Sequence, residues 1–218
     1  MAYVRKKEGS KQEIAYQKIK AAILNNEFMP HTMLLEGELC NMLGFSKTPI
    51  REALRRLMSE GFVVFVPEKG TFVSKLSAEE FIQMFEVREA LEGMAARLCA
   101  IKREQIVIDK LGNILSEMFQ DMQEEKRGDI VESDMKFHDV IINGSRNNKL
   151  MNFTKTMIQQ IHMVASYTVN DKERLDVSYY EHKKVYEAIR DGDPDASEKT
   201  MREHIKSVKA YQVSRNDF

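Results

Sequence analysis

The chain has 218 residues, with 33 Lys and Arg against 34 Asp and Glu, 43% hydrophobic residues and two cysteines. Its length suits two modest domains or one large one, and its composition is that of a globular protein. No apolar run is long enough to span a membrane and the N-terminus lacks the apolar core of a signal peptide, so a cytoplasmic protein is expected. Cys40 and Cys99 lack metal-like spacing and read as small core residues. Residues 1–75 hold 12 Lys and Arg against 8 Glu and no Asp, while the remainder holds 21 basic against 26 acidic residues. A basic first part joined to an acidic second part fits a nucleic-acid reader attached to a domain of another kind.

Residues 1–10 carry Arg5, Lys6 and Lys7 without an apolar pattern and read as an arm. A helix follows with Ile14, Ile19, Ala22 and Ile23 on its apolar face, ended by Asn25, Asn26 and Pro30. Leu34 to Met42 reads as a short helix, and Leu43-Gly44-Phe45 as a tight turn. From Ser46 to Leu57 the chain reads as an amphipathic helix. Ile50, Ala53, Leu54 and Leu57 form its apolar stripe, and Lys47, Arg51 and Arg55, four apart, form a basic ridge. Ser46 or Thr48 is placed to accept a backbone N–H, and Pro49 suits an early helical position. Phe62–Val66 and Thr71–Val73 flank Pro67-Glu68-Lys69-Gly70, which is a hairpin signal. Two helices across a tight turn, followed by a hairpin, make a winged helix-turn-helix whose second helix enters the DNA major groove.

The run Ser46-Lys47-Thr48-Pro49-Ile50-Arg51-Glu52-Ala53-Leu54, then Leu57, Glu60-Gly61 and Gly70-Thr71-Phe72-Val73, resembles the signature of GntR-type bacterial transcription regulators. The resemblance covers roughly residues 10–75. The expected DNA-facing set is Ser46, Lys47, Thr48, Arg51, Arg55, Lys69 and Gly70. Lys47 and Thr48 are expected at phosphate, Arg51 and Arg55 at guanine edges or phosphate, and Lys69 with Gly70 at the minor groove. The plain alternative is a packed amphipathic helix with a solvated basic face.

Ser77-Ala78-Glu79-Glu80 is a capping box and opens a second domain. Beyond it no stretch reads as a strand. Helices are expected near 78–102, 105–126, 129–143, 147–169, 173–191 and 194–213. The breaks lie at Gly128-Asp129, Gly144-Ser145 and Asp191-Gly192-Asp193-Pro194. The fold class expected is mainly α: a winged helix-turn-helix over residues 1–75 and a six-helix antiparallel bundle over 76–218. The 14 Met residues suit a core that adjusts its packing around a ligand.

The chemistry of the bundle lies in ionisable residues at positions where the pattern calls for apolar ones. Asp134 and His138 are four apart and share a face with Phe137 and Ile141. His182 goes with Val185, Tyr186 and Ile189, and His204 with Met201, Ile205 and Val208. His182 lies ten residues before Gly192 and His204 twelve after it. At about 1.5 Å per residue they sit roughly 15 and 18 Å from the turn, nearly level on antiparallel helices. Buried polar groups need partners, and one metal ion would satisfy all four. Each histidine alone is more often a satisfied core residue or a surface residue than a ligand.

Asp134-Met135-Lys136-Phe137-His138, Glu181-His182, Gly192-Asp193 and Met201-Arg202-Glu203-His204-Ile205 are similar to the helical FCD effector domain of the FadR branch. Six bundle helices resemble its VanR-type subgroup. The resemblance implies one divalent ion held by Asp134, His138, His182 and His204. Three imidazoles and a carboxylate suit Zn²⁺, with Ni²⁺ or Mn²⁺ as alternatives. It also implies that Arg88, on the inward face with Phe81, Met84, Phe85, Leu91 and Ala95, clamps the carboxylate of a small organic acid. The alternative for Arg88 is an internal pair with Glu92. His162 is a further cavity-lining candidate.

The expected protein is a homodimeric regulator that binds a near-palindromic operator on double-stranded DNA, responds to a small carboxylate and has no membrane partner. A regulator in which the ion itself is the signal is one rival. A metal-dependent hydrolase or lyase is another, although no nucleophile motif or distinctively placed general base supports it.

Overall fold

The computed structural model describes residues 10–124, 127–165 and 172–215. The chain divides into two compact units, Met1–Lys75 and Leu76–Phe218.

In the first unit, α1 (Lys11–Leu24), α2 (Glu36–Leu43) and α3 (Lys47–Ser59) precede a hairpin of β1 (Val63–Val66) and β2 (Gly70–Val73). The strands pair antiparallel from Val63 with Val73 to Val66 with Gly70. The hairpin therefore sits one residue later than expected at its first strand, with Phe62 outside it, and Gly70 belongs to the second strand. Glu68 takes the left-handed conformation in the three-residue turn, and Gly70 also has positive φ. A short bridge from Met33 to Phe72 ties the segment before α2 to the wing. Gly44 closes α2 at φ 70°, a conformation that glycine adopts without a steric penalty. Ile50, Ala53, Leu54 and Leu57 are all buried on α3.

On α1, Ile19, Ala22 and Ile23 are buried but Ile14 is only half-buried; Tyr16 and Lys20 join the core instead. Lys20 reaches Glu60 at 2.7 Å and the Tyr16 hydroxyl at 2.8 Å, and Tyr16 donates to Glu60 at 2.7 Å. A charge inside this small core is tolerated because every partner is supplied.

The second unit contains α4 (Ala78–Lys102), α5 (Gln105–Gln123), α6 (Arg127–Gly144), α7 (Asn148–Ala165), α8 (Lys172–Asp191) and α9 (Pro194–Arg215). Ser77 and Glu80 form the reciprocal capping box at the start of α4. Asp193 caps α9 through Ala196 N–H at 2.9 Å, with Pro194 in its first turn. α4 is the central element and packs against α6, α7, α8 and α9. Gly93 permits the close approach of α9, because a Cβ there would stand 2.8 Å from the Arg202 side chain. The core runs from Phe81, Phe85 and Ala95 on α4 through Leu111, Phe137 and Ile141 to Ile189, Met201 and Ile205. Among the described residues, no helix is long and apolar enough to cross a membrane.

Candidate metal centre and nucleic-acid interface

The bundle brings together side chains from three helices. His138 on α6, His182 on α8 and His204 on α9 are all within 1% of complete burial. Their rings turn the same nitrogen inward: His138 Nε2 lies 3.3 Å from His182 Nε2 and 3.3 Å from His204 Nε2. Asp134 Oδ1 stands 3.3 Å from His182 Nε2. One ligand atom from each of the four residues lies within 4.8 Å of the others. Asp134 departs from the fully inward placement expected, since its side chain keeps 35% of its exposure and forms the outer edge of the group.

The electrostatics of these groups follows from their burial and from one another. Burial, and the neighbouring His204, hold the His182 pKa well below the ordinary imidazole value. Burial also lowers His204, against an opposing pull from Glu181. Burial works to raise the Asp134 carboxyl, but His182, His138, His204 and Arg88 outweigh it and bring its pKa to about 2. The result at neutral pH is an ionised Asp134 carboxylate beside His182 and His204 imidazoles that favour their neutral form. Where Nε2 lone pairs face one another, the rings have no mutual hydrogen bond to make. A shared cation satisfies them. In a regular tetrahedron with Zn–N of about 2.0–2.1 Å, neighbouring ligand atoms stand roughly 3.3–3.4 Å apart; the three separations of 3.3 Å match this, and the remaining pairs lie within 4.8 Å. The donor set therefore fits a divalent ion.

The outer partners of the cluster include two residues that sequence reasoning did not assign to it. Glu92, completely buried on α4, accepts from Arg88 Nε at 2.5 Å and contacts His138 Nδ1. Burial raises the Glu92 pKa, but Arg88 and His138 dominate and keep it far below the carboxylate range. Glu181 Oε2 lies 2.9 Å from His204 Nδ1 and accepts from Arg174 at 3.1 Å. Arg88 is 4% exposed and does form the internal pair with Glu92. That pair is made through its Nε. Phe81, Phe85 and Ala95 are buried around it as expected, whereas Met84 and Leu91 lie at the edge of the core. His162 falls where side chains lie outside the described residues.

In the first unit Ser46, Lys47, Thr48, Arg51, Arg55 and Lys69 are exposed, and Gly70 is partly exposed. Ser46 is the N-cap of α3, but its side chain makes no capping hydrogen bond; the expectation of a cap from Ser46 is met in position only. Arg51 Nε binds Glu36 of α2 at 2.8 Å, and Arg55 binds Glu52 at 2.9 Å. The ridge thus stays solvent-facing while two of its charges have acidic neighbours. Arg56 lies outside the ridge, stacked over the Tyr16 ring at 3.6 Å and paired with Glu13 and Glu60.

Residues 83–207 match the FCD domain model, and residues 11–73 match the model described as bacterial regulatory proteins, gntR family. The chain is a GntR-family regulator with an FCD domain. It is 24% identical to YdhC, an HTH-type transcriptional regulator of Bacillus subtilis, over 87% of this chain and 85% of that protein. It is 29% identical to the Nta operon transcriptional regulator of Aminobacter aminovorans, over 82% and 83% of the two chains. The solved E. coli McbR/YncC has the same fold, with a TM-score of 0.81 and 18% identity over 95% of this chain and 99% of that one. The family consists of transcription regulators, so the GntR-type helix-turn-helix implies DNA binding and the hydrolase or lyase alternative falls away.

Proposed function

We propose that this GntR-family protein is a cytoplasmic, homodimeric regulator whose grip on DNA responds to a small organic acid in a metal-containing FCD domain. The observation that carries the reading is the convergence of three buried histidine Nε2 atoms and the Asp134 carboxylate. Asp134, His138, His182 and His204 would hold one divalent ion, zinc by donor type, with nickel or manganese as alternatives. When bound, the ion supplies a Lewis-acidic position and ties α6, α8 and α9 together. Arg88 reaches into the same cluster, and its terminal N–H groups suit a carboxylate in bidentate geometry. In the other unit, the exposed ridge of Lys47, Arg51 and Arg55 meets the major groove, with Ser46 and Thr48 at the start of the helix beside phosphate. Lys69 and Gly70 carry the wing to the minor groove. A dimer would present two such ridges to a near-palindromic operator.

An acid alters DNA binding only if it binds one arrangement of the dimer better than the other. The test is to select binding sites from random duplex DNA, then titrate affinity against metal, and against small carboxylates at fixed metal. A response to carboxylate only in the loaded protein supports the reading. A response complete with metal alone identifies the ion as the signal, and no response to either leaves a regulator without these effectors.

A further inference from the structure

The two outer carboxylates form a repeated arrangement. Glu92 on α4 holds His138 Nδ1 on α6, and Arg88 Nε holds Glu92 at 2.5 Å. Glu181 on α8 holds His204 Nδ1 on α9 at 2.9 Å, and Arg174 holds Glu181 at 3.1 Å. Each is a chain of guanidinium, carboxylate and imidazole that ends on an inward Nε2. Among the described residues no carboxylate contacts His182 Nδ1.

An ionised carboxylate can only accept a hydrogen bond. In its neutral form the imidazole facing it therefore carries its proton on Nδ1, and Nε2 is left with a lone pair directed into the cluster. An imidazole with the opposite tautomer would direct an N–H inward and could not ligate. We propose that Glu92 and Glu181 are positioning residues: they fix the Nδ1–H tautomer of His138 and His204 and so set the affinity of the site for a divalent ion. Arg88 and Arg174 hold the two carboxylates in orientation. Partners of this kind fix ring orientation and raise ligand basicity in metal sites, and their loss lowers metal affinity about 10–100-fold. This assignment rests on the metal reading above.

The decisive variant is Glu181→Gln in the full chain, because Glu181 and its partner Arg174 are 18% and 13% exposed, nearer to water than Glu92 and Arg88. Glu92→Gln is the companion, with a greater risk to folding because Arg88 is buried beside it. Zinc affinity is measured by competition with a chromophoric chelator, and the imidazole tautomers of the metal-free protein by ¹⁵N NMR. The expected result is a zinc affinity about 10–100-fold weaker, together with a shift of His204 from the Nδ1–H form toward a tautomer mixture. A wild-type chain that takes up no zinc sinks the metal reading. A zinc-binding wild type matched within twofold by Glu181→Gln sinks this proposal alone. So does a weaker affinity with the His204 tautomer unchanged, since the carboxylate would then act through charge only.

Discussion

Arg55→Ala on α3 separates a DNA contact from a folding contact. Arg55 is 74% exposed and, among the described residues, pairs with Glu52, three residues away on the same helix. Exposed ion pairs contribute little to folding, because water solvates both charges nearly as well apart. The variant should therefore unfold at the wild-type temperature. A bidentate arginine contact with guanine is worth about 1–3 kcal/mol of discrimination, which corresponds to roughly 5–150-fold weaker binding to a selected operator. Binding to unrelated duplex should weaken much less. A phosphate contact instead weakens all sequences alike and lowers the salt slope by about one. Arg51 adds a second lever, since Glu36 binds it at 2.8 Å in the free protein and must release it before it reaches DNA. Glu36→Gln should tighten operator binding at low salt while Arg51→Ala weakens it. Fluorescence anisotropy with specific and unrelated duplexes, over a range of salt, measures all three variants. Wild-type operator affinity in both Arg55→Ala and Arg51→Ala would refute the assignment of α3 as the reading helix.

The Lys20–Glu60 pair gives a stability prediction. Glu60→Gln leaves Lys20, 8% exposed, without its counter-charge, and breaking such a pair costs about 3 kcal/mol; urea unfolding of the full chain measures it. Burial pushes the Glu60 pKa up, but Lys20, Tyr16 and Arg56 outweigh it and leave it below the usual value. The stabilisation is therefore complete above the unfolded pKa of about 4.3 and is lost as pH falls through the lower folded value. Acid unfolding of Glu60→Gln should show a shallower slope in that window, and an unchanged slope would mean the pair is not formed. Residues 76–218 expressed alone should remain helical by circular dichroism, bind metal and lack DNA affinity, because the core cluster of the bundle is its own; an unfolded product would show that the two units share their stability.

Much of this was legible in the sequence because the signals were periodic or punctuated. The stripe of Ile50, Ala53, Leu54 and Leu57, the Ser77/Glu80 box and the Asp193-Pro194 start each involve neighbours in the chain, and each reappears in the structure. The similar spacing of His182 and His204 from Gly192, ten and twelve residues, also carried over, since two helices joined by a tight turn translate residue counts into height. Tertiary partners were less legible. Glu92 was visible only as a neighbour of Arg88 four residues on; its contact with His138, 46 positions away, depends on how α4 meets α6. A glutamate at an apolar position of α4 was the available signal. Glu181 lay beside a proposed ligand and pointed one position round the helix, toward α9 rather than into the cluster. Lys20 broke the apolar pattern of α1 and was passed over because its partner Glu60 is forty residues on.

The central claim is that the buried histidines are ligands of one divalent ion. Elemental analysis of the full chain purified without chelator tests it most directly, alongside His182→Ala and His204→Ala. About one equivalent of metal is predicted for the wild type and a large loss in each variant. Stripping the ion should lower the wild-type unfolding temperature toward that of the variants, because binding energy at a site built from three helices is also folding energy. A metal-free wild type, with both variants as stable as the parent and unchanged in DNA binding, would contradict the account and leave His138, His182 and His204 as core histidines.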